Sequence, residues 1–406
     1  MTDYFKALAQ HFAAASPAVR DDIYDFSWYI EDKTQGFVGR EFVFDAIKRF
    51  IEDNPQGYFR VRGDPGIGKS ALAAQLVKYQ GYLHHFNIRA MGINNADLFL
   101  RNICAQLIAR YQLNRTILPP GAVQDGGFLI TLLAEISQKL GPSEKVIIVV
   151  DALDETEDSI LAPGANVLYL PVTLPRGVYF IVTTRKAAIR LHTSDEPHSS
   201  PLDIEHDSQG NIADIRKYVE QALARSGIQA YITALNITEV VFVEHLVGKS
   251  EGNFMYLRYV LPEIEKGAYR NLMLDALPKG LQNYYEDHWR RMRGRDLEAW
   301  FEYKLPVLLA LAAAEYSVSI EMIMDFSRVQ ERRRVVSVLQ EEEWGQFLHK
   351  EEVPFEGSTQ KRYSLYHASF QEFLAKKDEV EEGINFMGAR VNITDSLTSE
   401  LFGGAE

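Results

Sequence analysis

Residues 58–70 read YFRVRGDPGIGKS, an apolar run passing straight into the spacing GxxxxGKS, and no other stretch restricts the fold as tightly. A polyanion held against bare backbone requires room and unusual turns, which Gly63, Gly66 and Gly68 supply. The loop Gly63, Asp64, Pro65, Gly66, Ile67, Gly68 is therefore expected to wrap phosphates with its amides. A helix opening with Lys69, Ser70 and Ala71 would aim the positive end of its dipole at the same place. Lys69 would reach the β- and γ-phosphates, and Ser70 would ligate Mg²⁺. The pattern needs a strand before it and a helix after it. Tyr58, Phe59 and Val61 supply the first, and ALAAQLV from Ala71 to Val77, with Leu72 and Leu76 on one face, supplies the second.

The 406 residues suggest two or three domains, and 46% hydrophobic with 24% charged residues is an ordinary globular mixture. The 43 basic and 56 acidic side chains leave a net charge of −13, which argues against a protein that coats nucleic acid or an anionic membrane. The local exceptions are Arg290, Arg291, Arg293 and Arg295 in WRRMRGR and the run Arg332, Arg333, Arg334, which read first as solvated helix faces. A single cysteine, Cys104, excludes an internal disulfide and sits in the apolar-periodic LFLRNICAQLIARY as a small buried hydrophobe. The apolar run Pro306–Ala314 is too short to span a bilayer, and MTDYFKALAQHF lacks a signal-peptide core, so a reducing, cytoplasmic setting and no membrane segment are expected.

Along the chain, residues 1–35 look like a short helical leader or docking segment. Residues 36–206 alternate apolar strands with helices: YFRVR, HHFNIRAM at 84–91, VIIVV at 146–150 and VYFIVTT at 178–184. One helix between them carries Leu100, Ile103, Leu107 and Tyr111 on a single stripe. The implied fold class is α/β, a parallel sheet with helices on both faces and ligands at the carboxyl ends of the strands. Beyond the polar HTSDEPHSSPLDIEHDSQGN, residues 207–276 read as a small helical domain without strand-forming runs. Residues 277–380 carry helices, the alternating segment KRYSLYH and a last helix, an assembly that suits a winged helix, and 381–406 form a tail.

In VIIVVDALDE, Asp151 ends a hydrophobic strand, where a second acidic group must stand to hold the Mg²⁺ hydration shell. Asp154 and Glu155 follow in a loop facing the γ-phosphate. One of them, with Glu155 preferred, would orient and deprotonate the attacking water. Thr183, Thr184 and Arg185 end the next strand at the same edge, and Arg185 is a candidate reader of the γ-phosphate.

GFVGRE at 36–41, GDPGIGKS, VVDALDE, IVTTR, EGNFMYLRYVL at 251–261 and LYHASFQEFLA at 365–375 together resemble the NACHT branch of the STAND signal-transduction ATPases. The flavour is that of microbial NACHT proteins carrying WD-type repeats, judging by LPKGLQNYYEDHWRRM and YHASFQEFL. The resemblance covers about 36–376 and implies ATP/ADP and Mg²⁺ as ligands. It implies that Phe37, Val38 and Arg40 line the adenine and ribose side. It also implies that His367 contacts the β-phosphate of ADP in a closed state. Read from the sequence alone, His367 simply precedes a capping box made by Ser369 and Glu372. Where the family often has an adenine-packing proline, this chain reads GNF, so Phe254 stands in its place. Effector and sensor parts are not recognisable before 36 or after 380, which implies either a truncated core or parts supplied by partners.

The expected function is an ADP/ATP-controlled oligomerisation switch with slow hydrolysis, in immune or antiviral defence or programmed cell death. The alternatives are an AAA-like ATPase loading on DNA through its winged helix, against which the acidic total counts, and a nucleotide-stabilised scaffold.

Overall fold

The computed structural model describes residues 15–157, 162, 164–187, 189–194, 199–267, 269, 273–314, 316–355, 358–377 and 385–402. Residues 1–14 of the expected leader and residues 381–384 and 403–406 of the expected tail lie outside them. The chain forms two compact units: the described residues within Met1–Ile88, Ile93–Leu257 and Ile264–Gly267, and those within Arg89–Gly92, Arg258–Glu263 and Ala268–Glu406.

The first unit is built on five parallel strands, β1 (Gly57–Gly63), β2 (Leu83–Phe86), β3 (Val146–Asp151), β4 (Val178–Thr184) and β5 (Ser199–Ile204), in the order β2-β3-β4-β1-β5. Every residue of β4 is buried, as a strand covered on both faces must be, and this explains why VYFIVTT does not alternate. Its register places Thr183 opposite Val61 of β1, and Val182 opposite Val150 of β3. The strand ends carrying Gly63, Asp151 and Thr184 therefore share one edge of the sheet.

Helices α1 (Pro17–Asp21), α2 (Ser27–Thr34), α3 (Glu41–Asp53), α4 (Lys69–Gln80), α5 (Ala96–Arg110) and α6 (Gly127–Lys139) belong to the same unit. Leu100, Ile103, Cys104 and Leu107 of α5 join Leu129, Leu132 and Leu133 of α6 and Ile148, Val150 and Phe180 in one buried cluster. Leu72 and Leu76 of α4 are buried as their spacing predicts.

The fold of this unit departs from the sequence reading in three places. HHFNIRAM is strand only to Phe86, after which Arg89–Met91 makes a 3₁₀ turn. The polar stretch before residue 206 contains β5, an edge strand paired with β1 along its whole length, whose Pro201 is tolerated at the edge and whose sequence shows no apolar alternation. The expected leader is integral from residue 15 onward: Ser16 caps α1, Val19 enters the main core, and the Phe26 ring lies 5.9, 5.6 and 5.2 Å from those of His84, His85 and Phe86.

At the β2 edge, side chains take over the ladder. The His84 backbone N–H donates to Gln106 Oε1 at 3.1 Å, and its carbonyl accepts from Asn102 Nδ2 at 2.9 Å and Gln106 Nε2 at 2.8 Å.

Helices α7 (Gln209–Ala222), α8 (Ser226–Ala234) and α9 (Glu239–Ser250) continue the first unit. Ser208 caps α7 and Thr238 caps α9. Helix α10 (Phe254–Lys266) begins in the first unit.

The second unit holds α11 (Gly280–Arg293), a π-helical turn at Trp300–Lys304 leading into α12 (Leu305–Ala313), β6 (Val318–Ser319), α13 (Ile320–Ser327), α14 (Arg332–Gln340), the hairpin β7 (Leu348–Phe355) and β8 (Ser358–Leu365), α15 (Ala368–Ala375) and α16 (Phe386–Phe402). Its sheet is antiparallel, in the order β6-β8-β7. KRYSLYH thus forms most of one arm of a hairpin. Glu263 is the polar centre of this unit, accepting from Tyr269 at 2.5 Å and Tyr284 at 3.1 Å and lying 2.9 Å from His288 Nε2. These partners hold its carboxyl down at about 2 although burial opposes them. The expected capping box is not formed: α15 starts one residue before Ser369, and His367 is its cap, with Nδ1 accepting from the Ser369 backbone N–H at 3.1 Å. The Ser369 hydroxyl is engaged instead by His367 Nδ1 at 2.6 Å and by the Tyr285 hydroxyl at 2.8 Å. Among the described residues, no single helix is long and apolar enough to cross a membrane.

Candidate functional site

β1 ends at Gly63, the chain turns through Asp64–Gly68, and α4 starts at Lys69. Gly66 and Gly68 adopt φ of +80° and +95°, the left-handed region that glycine occupies without penalty. Gly63 is needed for a different reason: a Cβ there would stand 2.9 Å from Ile67 Cγ2 and 3.2 Å from the Ile204 carbonyl. Lys69 Nζ donates to the carbonyls of Gly63 at 2.6 Å and Asp64 at 3.1 Å, which folds the side chain back over the loop. Burial lowers its pKa, while the negative charges of Asp154 and Asp151 pull the other way.

Asp151 is wholly buried at the end of β3. Its Oδ1 accepts from the Thr183 hydroxyl, and Thr183 Oγ1 in turn accepts from the Ala152 N–H at 2.9 Å. Its Oδ2 is buried with no hydrogen-bond partner. Burial raises the carboxyl's pKa, opposed by hydrogen bonds from Thr183 and Ser70 and by the Lys69 charge. A carboxylate, a hydroxyl and an ammonium thus converge where the sequence placed a divalent cation. The orphaned oxygen of Asp151 and the glycine cradle fit a Mg²⁺-bound polyphosphate. The small protein donor set, Ser70 and Asp151, suits Mg²⁺, which keeps much of its own water and the substrate's oxygens as ligands.

Beyond Asp151, Ala152 takes φ +54° and the chain turns through Leu153–Glu155. Asp154 is committed to Arg185: the Arg185 backbone N–H donates to its Oδ1 at 2.9 Å, and Arg185 Nε lies 2.8 Å from its Oδ2. The Glu155 backbone is fixed by its N–H to the Ala152 carbonyl at 2.9 Å and by its own carbonyl, which accepts from Asn94 Nδ2 at 3.1 Å. Asp154 and Glu155 are therefore not equivalent. The first holds an arginine at the sheet edge.

The VGRE segment meets the loop from the other side. Arg40 has φ +68° and only 2% exposure. Its Nη2 donates to the Ile67 carbonyl, its backbone N–H donates to Asp214 Oδ2 at 3.0 Å, and its Nη1 lies 3.7 Å from the same carboxylate. Burial lowers its pKa to about 10, with Asp214 opposing. The guanidinium lies 5.0 Å from the centre of the Phe254 ring, which would also touch a Cβ placed on Gly68, at 3.9 Å. Tyr218 meets Phe254 edge-on at 5.6 Å. Phe37 packs on Phe44 at 6.2 Å, and Phe37 and Val38 are half-buried.

The fold thus gathers Gly63–Ala71, Arg40, Asp151, Asp154, Arg185 and Phe254 in the first unit, while His367 belongs to the second. Three polar residues went unnoticed in the sequence. Asp214 lies mid-helix with no motif to mark it; Asn211 donates to the carbonyls of His206 at 2.8 Å and Gly252 at 2.9 Å; and Asn253 was passed over beside Phe254. The signal available was the pair Gly252-Asn253. Gly252 has φ +73°, and a Cβ on it would come 2.2 Å from the His206 carbonyl.

Residues 42–170 match the family model "Nephrocystin 3, N-terminal". Among curated proteins none matches the chain. Among solved structures, a Signal Transduction ATPase with Numerous Domains protein with a tetratricopeptide repeat sensor from Pyrococcus horikoshii is similar at 15% identity and a TM-score of 0.45, covering 90% of this chain. The alignment spans 45% of that protein's length. The RuvB Holliday junction branch migration motor of Thermotoga maritima is similar at 12% identity and a TM-score of 0.30, covering 83% of this chain and 95% of its own. The matched stretch 42–170 contains the phosphate loop and the acidic strand.

Proposed function

We propose that the chain is a signal-transduction ATPase that works as an ADP/ATP-controlled switch and self-associates when ATP is bound. The observation that carries this reading is the cluster of Lys69, Ser70 and the buried Asp151 with its orphaned oxygen, beside an arginine held by Asp154. Mg²⁺-bound ATP supplies the phosphoanhydride and a cation that spreads its charge. Ser70 and Asp151 hold the cation's ligand positions, and Lys69 exchanges its two carbonyl partners for phosphate oxygens. Arg185, oriented by Asp154, senses the terminal phosphate. Glu155 orients the water, since Asp154 is taken up by its arginine. Phe37, Val38 and Phe254 form the base side.

The second unit's order of helices, short strand and hairpin is read as a winged helix, with His367 as its contact to the β-phosphate of ADP in the resting state. Its affinity for one nucleotide over the other is what shifts the equilibrium, because a ligand bound equally by both states shifts nothing. Sensor and effector functions come from other domains or partners, in defence or cell-death signalling within the cytoplasm. The arginine clusters support solvated faces over a DNA surface: Arg332 pairs with Glu321, Arg334 with Glu302 and Glu331, and Arg290 with Asp287.

Two variants test the assignment. Glu155→Gln is expected to cut phosphate release about a hundredfold while leaving nucleotide bound; wild-type turnover in that variant would remove Glu155 from its role. His367→Leu is expected to lose copurifying ADP and to shift the mass in solution upward, and an ADP-loaded monomer would end the latch idea.

A further inference from the structure

Three of the phosphate loop's carbonyls are held by groups from outside both the loop and α4. Amides can face an anion only if neighbouring carbonyls turn away, and carbonyls turned away from water need donors of their own. The Pro65 carbonyl accepts from Asn253 Nδ2 at 3.0 Å. The Gly66 carbonyl accepts from the backbone N–H groups of Phe254 at 3.0 Å and Met255 at 3.2 Å. The Ile67 carbonyl accepts from Arg40 Nη2. Three successive carbonyls are thus tied down, and none of the donors belongs to the loop or to α4.

Asn253 has a second engagement. Its Oδ1 accepts from the N–H groups of Met255 at 2.9 Å and Tyr256 at 3.3 Å, capping α10, so the amide is locked between helix start and loop. The fit is close, because a Cβ on Gly66 would stand 2.5 Å from that oxygen. Arg40 is locked in the same manner by Asp214 and by the Phe254 ring.

We infer that Asn253 and Arg40 are positioning residues for phosphate binding, acting through the carbonyls of Pro65, Gly66 and Ile67 to keep the loop amides turned toward the anion. The inference rests on the nucleotide reading above and deepens it. It gives GNF a role that the missing proline did not suggest: the asparagine braces the phosphate loop, whatever Phe254 does with the base. It also makes the coupling reciprocal, since a loop ordered by phosphate strengthens its hold on the start of α10, and a docked α10 strengthens the hold on phosphate.

The test compares ADP and AMP affinities on the full chain, because the loop cradles the β-phosphate that AMP lacks. Asn253→Ser keeps an oxygen to cap α10, adds no charge and removes the donor to Pro65. Arg40→Lys keeps a cation beside Asp214 but removes the planar fork, and it serves as a second variant if the first folds poorly. Each is expected to weaken ADP about tenfold and AMP by much less, so that the ADP-to-AMP affinity ratio falls. An unchanged ADP-to-AMP ratio in both variants overturns the inference, and so does a lowered melting temperature with that ratio intact, which is how a purely structural residue behaves. Failure of the wild-type chain to bind ADP at all would instead overturn the nucleotide reading.

Discussion

Replacing Asp151 with asparagine should make the nucleotide-free protein more stable and remove its response to Mg²⁺-nucleotide. The side chain is fully buried, its Oδ2 has no hydrogen-bond partner, and burial outweighs Thr183, Ser70 and Lys69 in setting its pKa, which is raised. An ionised carboxylate there is a net cost to the fold. An unsatisfied buried acceptor costs about 1–3 kcal/mol, so Asp151→Asn should gain about 1–2 kcal/mol, or roughly 2–8 °C of melting temperature. The sign of the pH dependence follows from the raised pKa. The penalty is complete above the folded pKa and disappears as pH falls below the unfolded one, so the advantage of asparagine narrows on acidification. With Mg²⁺ and ADP at about 100 times Kd, the wild type should gain about 3 kcal/mol and the variant little, which reverses the order of the two melting temperatures. Thermal melts in EDTA and in Mg²⁺-ADP read both effects. If Asp151→Asn melts below wild type in EDTA, or gains as much from Mg²⁺-ADP, the assignment of this carboxylate is refuted.

Two further outcomes follow from other parts of the first unit. Gly66→Ala forces a side chain into φ +80° and a Cβ to within 2.5 Å of Asn253 Oδ1, so about 2–3 kcal/mol should be lost; a urea midpoint close to wild type would contradict the geometry. His84 and His85 are fully buried, and burial takes their pKa values down to about 4 and about 3 from an ordinary 6.5. Both must stay neutral in the fold, so stability is full above the unfolded pKa and lost as pH falls from there toward the folded values. At about pH 5 the loss should be about 2 kcal/mol per histidine, and a urea midpoint constant from neutral pH down to that point would rule it out.

The legible part of this molecule was the part in which backbone geometry dictates residue type. Gly66 and Gly68 can be read because few other residues accept their φ, and Asp151 because an acid at the end of VIIVV has no packing reason to be there. Strand β4 was legible from its unbroken apolar run. The invisible parts depend on partners distant in the chain. Arg40 reads as a turn residue until Asp214 and Ile67 are brought against it, and Asn253 looks like an ordinary helix cap until its amide meets Pro65. Strand β5 hid because SSPLDI has no continuous apolar face and carries a proline, which argues against a strand in sequence although all six residues lie in register with β1. The start of α15 lies two residues before the one expected, because the imidazole of His367 caps the helix in place of the Ser369 hydroxyl.

The amides of Asn102 and Gln106 that occupy the His84 backbone also bear on how copies of this chain can meet. An exposed strand invites a second strand to lie alongside it, and such pairing grows into filaments as readily as into rings. Here the β2 border at His84 is already taken by side chains from α5, and the opposite border strand, β5, contains Pro201, which has no N–H to offer. Growth of the parallel sheet by addition of a strand is thereby opposed at both of its borders.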